Sequence, residues 1–174
     1  MTGTWTTNRR SSVSIHTFTA PEEGWLVNSH IAELPSQLLV VDAQYTLPFA
    51  EEVVRYAASL NKPITRLYVT HYHPDHLLGA SAFNAPLYAL SSVADKVAAV
   101  GDRVASEEHE KVGDDIPGKA RRVDRRIEGG DEVVDGVRMV HLRLRNAETE
   151  DALVMALPDE RAIIVQDQIG RAHV

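Results

Sequence analysis

The sequence predicts a mixed α/β (α+β) domain, on three observations. Gln37 to Asp42 and Ile64 to Val69 are short, near-continuous apolar runs, the pattern of strands covered on both faces. Between them Pro48 opens a segment in which Ala50, Val53, Val54, Ala57 and Ala58 keep the helical period to about Leu60. Beyond residue 130 the chain changes to pairs of strand-like runs separated by turn residues.

Taken in order, Ser11 to Phe18 alternates, with Val13 and Ile15 set against Ser14 and His16, and predicts a first strand. Gly24 to Leu34 predicts a second through Trp25, Val27 and Ile31. The 37–42 strand ends in a carboxylate, Asp42. Asn61-Lys62-Pro63 stops the helix, and 64–69 is the next strand. A short helix is expected from Pro74 through Phe83, then a strand from Ala85 to Leu90. Ser92 with Asp95 three residues on resembles a capping box. Val93, Val97, Val100 and Val104 then form a helical stripe, weakened at Gly101 and closed by Gly113. Ile116 to Gly130 is turn-rich and basic, and Arg121, Arg122, Arg125 and Arg126 are expected to decorate a solvated loop or strand edge. Asp131 to Arg145 predicts two strands around Asp135-Gly136, a favourable hairpin turn. The alternation of Val140, Leu142 and Leu144 puts His141 on the polar face with Arg143 and Arg145. Asp151 to Leu157 and Arg161 to Val165 form a further pair around Pro158-Asp159-Glu160.

Composition sets bounds on function. The 174 residues are enough for one domain with a substantial core. A net charge of −7 argues against general nucleic-acid binding, so a small-molecule substrate is the expected partner. There is no cysteine, which excludes disulfides and thiolate metal ligands. No apolar run approaches transmembrane length. Arg9 and Arg10 are not followed by the apolar stretch of a signal peptide. No membrane association and a cytoplasmic location are therefore expected.

The richest stretch is Thr70-His71-Tyr72-His73-Pro74-Asp75-His76, directly after the second apolar run. In a strand-like conformation side chains at i and i+2 leave on the same side, so His71 and His73 converge while Tyr72 points away. Pro74 has the fixed φ of a helix start. Asp75 and His76 then begin the next helix and aim at a second point nearby. The spacing offers two adjacent metal positions, and imidazole suits zinc, iron or copper.

These residues resemble the H-x-H-x-D-H signature of the metallo-β-lactamase superfamily. The resemblance runs from about Ser11 to Asp167 and implies the first part of an αββα sandwich, two sheets packed between outer helices. It implies two divalent ions, zinc in the first instance, with His71 and His73 on one and Asp75 and His76 on the other. It places Asp167, at the end of a strand, as the bridging ligand. The third ligand of the first ion is usually a histidine in a Gly-His-Thr turn. Here Glu148 occupies that place, 19 residues before Asp167. Alkylsulfatase-type members also carry a glutamate there. Glu150 is the nearest competitor and His141 a weaker one. Asp42 matches the early aspartate that supports the metal loop, without the usual following glycine, and reads either as an orienting residue or as a plain strand-end turn. His16, His30 and His109 have no partners at ligand spacing.

The resemblance implies a hydrolase in which a metal-held hydroxide attacks an ester-, amide- or sulfate-like centre, with Asp75 also orienting the nucleophile and handling its proton. The glutamate makes manganese or iron plausible beside zinc. A mononuclear iron oxidoreductase of the same fold and a non-catalytic metal-binding domain are the alternatives. β-Lactamase activity is disfavoured, because neither the usual histidine nor a bridging cysteine is present. Residues 169–174 resemble a translated sequencing adapter. The expectation is therefore a single domain over 1–168, incomplete at its C-terminus, with a non-native tail in which His173 is not a ligand.

Overall fold

The computed structural model describes residues 2–167, so the expected tail at 169–174, with His173, lies outside the described residues. Among the described residues seven strands form one sheet: β1 (Thr4–Arg9), β2 (Ser14–Thr19), β3 (Asn28–Glu33), β4 (Leu38–Val41), β5 (Ile64–Tyr68), β6 (Leu87–Leu90) and β7 (Arg125–Ile127), in that spatial order. The first four pair antiparallel and the last four parallel. The parallel half is fed by α1 (Leu47–Ser59) and α3 (Ser91–Val112). A second, antiparallel sheet holds β8 (Gly130–Val134), β9 (Val137–Arg145), β10 (Asp151–Leu157) and β11 (Ala162–Ile164), ordered β11-β10-β9-β8.

The apolar runs behave as their composition demands. Leu38, Leu39, Val40 and Val41 are all fully buried, as strand residues between two layers must be. On one side α1 lays Ala50, Val53 and Ala57 onto the first sheet, and Trp5 stacks on Tyr56 with ring centroids 3.6 Å apart. On the other side lies the second sheet. Asp135 and Gly136 both take positive φ in the tight β8–β9 turn, which glycine and aspartate tolerate. That turn is tied back to the first sheet by Ser36, whose N–H and hydroxyl donate to the Asp135 carboxylate. Ser12 and Glu160 make a similar tie elsewhere between the sheets. No described helix is long and apolar enough to cross a membrane.

Several local expectations need correction. β1 lies where no strand was expected, because Thr4–Arg9 is polar and mostly exposed and owes its place to pairing with β2 and to Trp5. The capping box at Ser92 does not form: the residue before α3 is Leu90, and no side chain caps the helix. The buried stripe of α3 is Val93, Val97, Gly101, Ala105 and Glu108, with Val100 and Val104 beside it. Gly101 has a packing reason, since a Cβ there would meet the Ala120 methyl at 3.0 Å. Arg121 is not decoration, because its guanidinium donates to the carbonyls of Ala80, Phe83 and Ala85 and fixes the turn after the metal loop. Arg125 and Arg126 do lie exposed on the sheet edge.

The face of β9 is also inverted relative to the alternation rule. His141 is 5% exposed, while Leu142 and Leu144 face outward at 44% and 39%. The inward polar residues form a network: Arg66 donates to Tyr68 and to Glu132, and His141 Nε2 lies 3.4 Å from Glu132. Paired charge makes this side tolerable in the interior. The apolar side is turned to the outer surface of the second sheet, with Val133 and Ile163.

Candidate metal centre

The site sits where β5 and β10 leave their sheets. The Leu153 N–H donates to the Thr70 carbonyl at 2.8 Å, which pins the loop after β5 against the second sheet. Pro74 starts α2 (Pro74–Leu77), a single turn that carries Asp75 and His76. Gly79 follows, where a Cβ would lie 2.1 Å from the Ala43 carbonyl oxygen, so only glycine lets this turn rest on the 43–44 backbone.

The six expected ligands gather here. His71, His73 and Glu148 each offer a donor atom, all within 4.8 Å of one another, and so do His71, His76 and Asp167. His71 and His73 have ring centroids 4.7 Å apart, and His71 and His76 4.2 Å. Asp75 Oδ2 lies 3.2 Å from His76 Nε2, and Asp167 Oδ2 2.8 Å from the same atom. The two donor groups share His71, whose one free nitrogen can serve a single ion. Asp75 is placed to complete the second group with His76 and Asp167. The competitors stand apart from both groups. Glu150 is exposed, 3.9 Å from Lys96, and His141 lies in the network with Glu132.

Asp42 sets the orientation of both imidazoles. It is fully buried at the end of β4, with φ +64°. Its carboxylate accepts from the Thr70 N–H at 2.7 Å, the Thr70 hydroxyl at 2.8 Å and His76 Nδ1 at 2.8 Å. With its proton given to Asp42, the Thr70 oxygen is left to accept from His71 Nδ1 at 3.0 Å. Both rings then turn Nε2 toward the gathered carboxylates, because an acceptor hydrogen-bonded to Nδ1 fixes the tautomer and ring orientation. Of the two readings of Asp42, the orienting one fits these contacts. Thr70 itself was not singled out from the sequence; its place directly before the first histidine was the available signal. The missing glycine is compensated by Gln44, which takes φ +74° and donates to the Ser29 hydroxyl and the Val27 carbonyl.

The ionisable groups of the site influence one another strongly. Burial, helped by the neighbouring His76 charge, pushes His71 down to about 4, so its ring is neutral at ordinary pH. His71 Nε2 is buried and has no hydrogen-bond partner among the described residues, an orphan that a metal ion would satisfy. Glu148 oxygens stand 4.0 Å from that atom and 3.8 Å from His73 Nδ1, too long for hydrogen bonds. Two ligands each about 2 Å from one zinc ion lie about 3–4 Å apart, so the spacing fits a shared ion. Burial works against a charged His76, but the Asp42 charge and hydrogen bonds to Asp167, Asp42 and Asp75 outweigh it and raise its pKa well above the ordinary value. The His76 hydrogen bond in turn holds Asp167 below the usual carboxylate range against partial burial. At Asp75 burial is likewise outweighed by His76, and the pKa is lowered.

This asymmetry predicts how metal loads with pH. A raised His76 pKa means its proton persists to higher pH, and an ion at that position has to displace it. Zinc affinity there should rise about tenfold per pH unit until the His76 value is passed. His71 carries no such proton. Isothermal zinc titrations at about pH 6 and about pH 8 should resolve one position that strengthens strongly and one that changes less. Equal strengthening of both positions would contradict the assignment.

A two-sheet α/β fold brings together adjoining His/carboxylate groups at the strand ends that could hold metal ions. The chain belongs to the metallo-β-lactamase superfamily, whose family model matches residues 23–167. Solved structures share the fold. A metallo-β-lactamase from Pontibacter korlensis superposes with a TM-score of 0.65 at 20% identity, over 90% of this chain and 68% of that one. One from Hirschia baltica gives 0.65 at 18% identity, over 94% and 70%. The mono-zinc form of FIM-1 from Pseudomonas aeruginosa gives 0.64 at 20% identity, over 91% and 66%. No curated protein sequence matches the chain.

Proposed function

We propose that the chain acts as a metal-dependent hydrolase on an ester-, amide- or sulfate-like centre of a small molecule. The observation that carries this reading is the pairing of two donor groups around His71, with a buried imidazole nitrogen that has no hydrogen-bond partner among the described residues. His71, His73 and Glu148 would hold one divalent ion, Asp75 and His76 the other, and Asp167 both. Bound ions of this kind supply Lewis acidity and acidify a coordinated water. The set of three histidines and three carboxylates suits zinc, and its oxygen share also admits manganese or iron.

The protein's own groups do the rest. Asp42 and Thr70 hold the imidazoles in the tautomers that offer Nε2. Asp75, kept ionised by His76, would accept a proton from the attacking water. The test is metal content by mass spectrometry, with turnover of a panel of esters, lactones, phosphodiesters and sulfate esters. Two ions per chain with hydrolysis of at least one class is the expected result. One iron per chain with oxygen consumption would favour a mononuclear oxidoreductase, and full metal occupancy without turnover a non-catalytic domain. Absence of any metal uptake would overturn all three.

A further inference from the structure

A cavity of about 270 Å³ takes Glu148, of the His71–His73–Glu148 group, into its lining. Glu148 lines it together with Ser92, Val93 and Lys96 from the start of α3. Tyr72, which stands between the two histidines in the sequence, also lines it. Its ring lies 5.2 Å from that of His73, and Lys96 Nζ stands 5.7 Å from its centroid. The cavity lining therefore joins a carboxylate of the metal group, an aromatic ring and an ammonium.

The polar groups that α3 contributes are only weakly engaged by the fold. Ser92 Oγ is buried and has no hydrogen-bond partner among the described residues. Ser92 and Lys96 are four residues apart on α3 and share a face. The first N–H groups of that helix have no side-chain cap. Lys96 is the only cation among the described lining residues. Three carboxylates also line the cavity, and each has a place elsewhere. Glu148 belongs to the metal group. Asp151 lies 3.8 Å from Arg143 and 3.9 Å from Arg145. Glu150 is 90% exposed and 3.9 Å from Lys96, a solvated pair that holds the lysine weakly.

We propose that this cavity seats the uncleaved part of the substrate and selects molecules carrying a carboxylate on an aryl stem. Lys96 Nζ and Ser92 Oγ take the carboxylate, and the Tyr72 ring packs the stem. The inference rests on the hydrolase reading for its place in turnover, and on the cavity alone for binding.

Phenyl acetate and 4-acetoxybenzoate present the same ester and differ by the carboxylate. With the zinc-loaded full chain, KM for 4-acetoxybenzoate should be about tenfold lower than for phenyl acetate. Lys96→Ala should remove that difference, Lys96→Glu should reverse it, and Ser92→Ala should reduce it by about threefold. Calorimetric titration with 4-hydroxybenzoate, which needs no turnover, should show binding to the wild type that is lost in Lys96→Ala. Circular dichroism verifies that the variants are folded. A preference that persists in Lys96→Ala, or 4-hydroxybenzoate binding that is absent in the wild type or unchanged in the variant, overturns the proposal. If metal loads but no member of the substrate panel is cleaved, the hydrolase reading fails by itself, and the titration still decides this one.

Discussion

Asp42→Ala is expected to destabilise the metal-free chain by about 3–5 kcal/mol, the usual cost of removing one partner from a buried charge pair. Asp42 and His76 are both completely buried, and the carboxylate accepts from His76 Nδ1 and twice from Thr70. Without it, the Thr70 N–H and the His76 ring lose their acceptor in a space no water reaches. Backbone strain adds to this. Asp42 holds φ +64°, a region aspartate enters more readily than alanine. The His76 pKa is raised in the folded chain, so its contribution is fully present below its unfolded value and lost as pH rises through the folded one. The gap between wild type and variant should therefore be largest near about pH 6 and shrink toward alkaline pH. Urea denaturation at several pH values checks both the size and the direction. A loss below about 1 kcal/mol would mean the loop is held by its backbone contacts and not by Asp42.

How much of this was legible before any coordinates follows from what each signal depends on. β4, α1, β5 and the β8–β9 hairpin could be read because apolar period and turn chemistry are local. The loop ligands could be read because i, i+2 spacing and a helix-starting proline fix direction without tertiary knowledge. Glu148 and Asp167 were reachable only through resemblance, since their distance from His71 is set by how β10 returns to the first sheet. The face of β9 was misread for a related reason. Alternation fixes that Leu142 and His141 oppose each other, not which of them meets the core. Arg66, far away in sequence, decides that through its pairing with Glu132 on the neighbouring strand β8. The capping box failed because Ser92 lies inside the helix, past its first residue Ser91.

Glu148 carries the second large effect, and it separates a ligand from a bystander. Glu148→Gln keeps the shape and removes the charge, and should weaken binding at the His71–His73 position by at least about tenfold to a hundredfold. Binding at the His76 position should change less, because His76, Asp75 and Asp167 are untouched. Glu148→His should restore zinc binding with a different character. Two divalent ions facing Asp75, Glu148 and Asp167 retain a single net positive charge, and a neutral imidazole at 148 leaves them two. More positive charge makes stronger Lewis acids, so the acidic limb of the pH–rate profile should move to lower pH. Replacing an oxygen donor by nitrogen should also shift the preference from manganese toward zinc. Competitive loading with both metals, read by mass spectrometry, measures that shift directly. Unchanged affinity in Glu148→Gln together with unchanged preference in Glu148→His would show that the carboxylate only stands near the histidines. Glu150, two residues on and more exposed, would then be the residue to replace next.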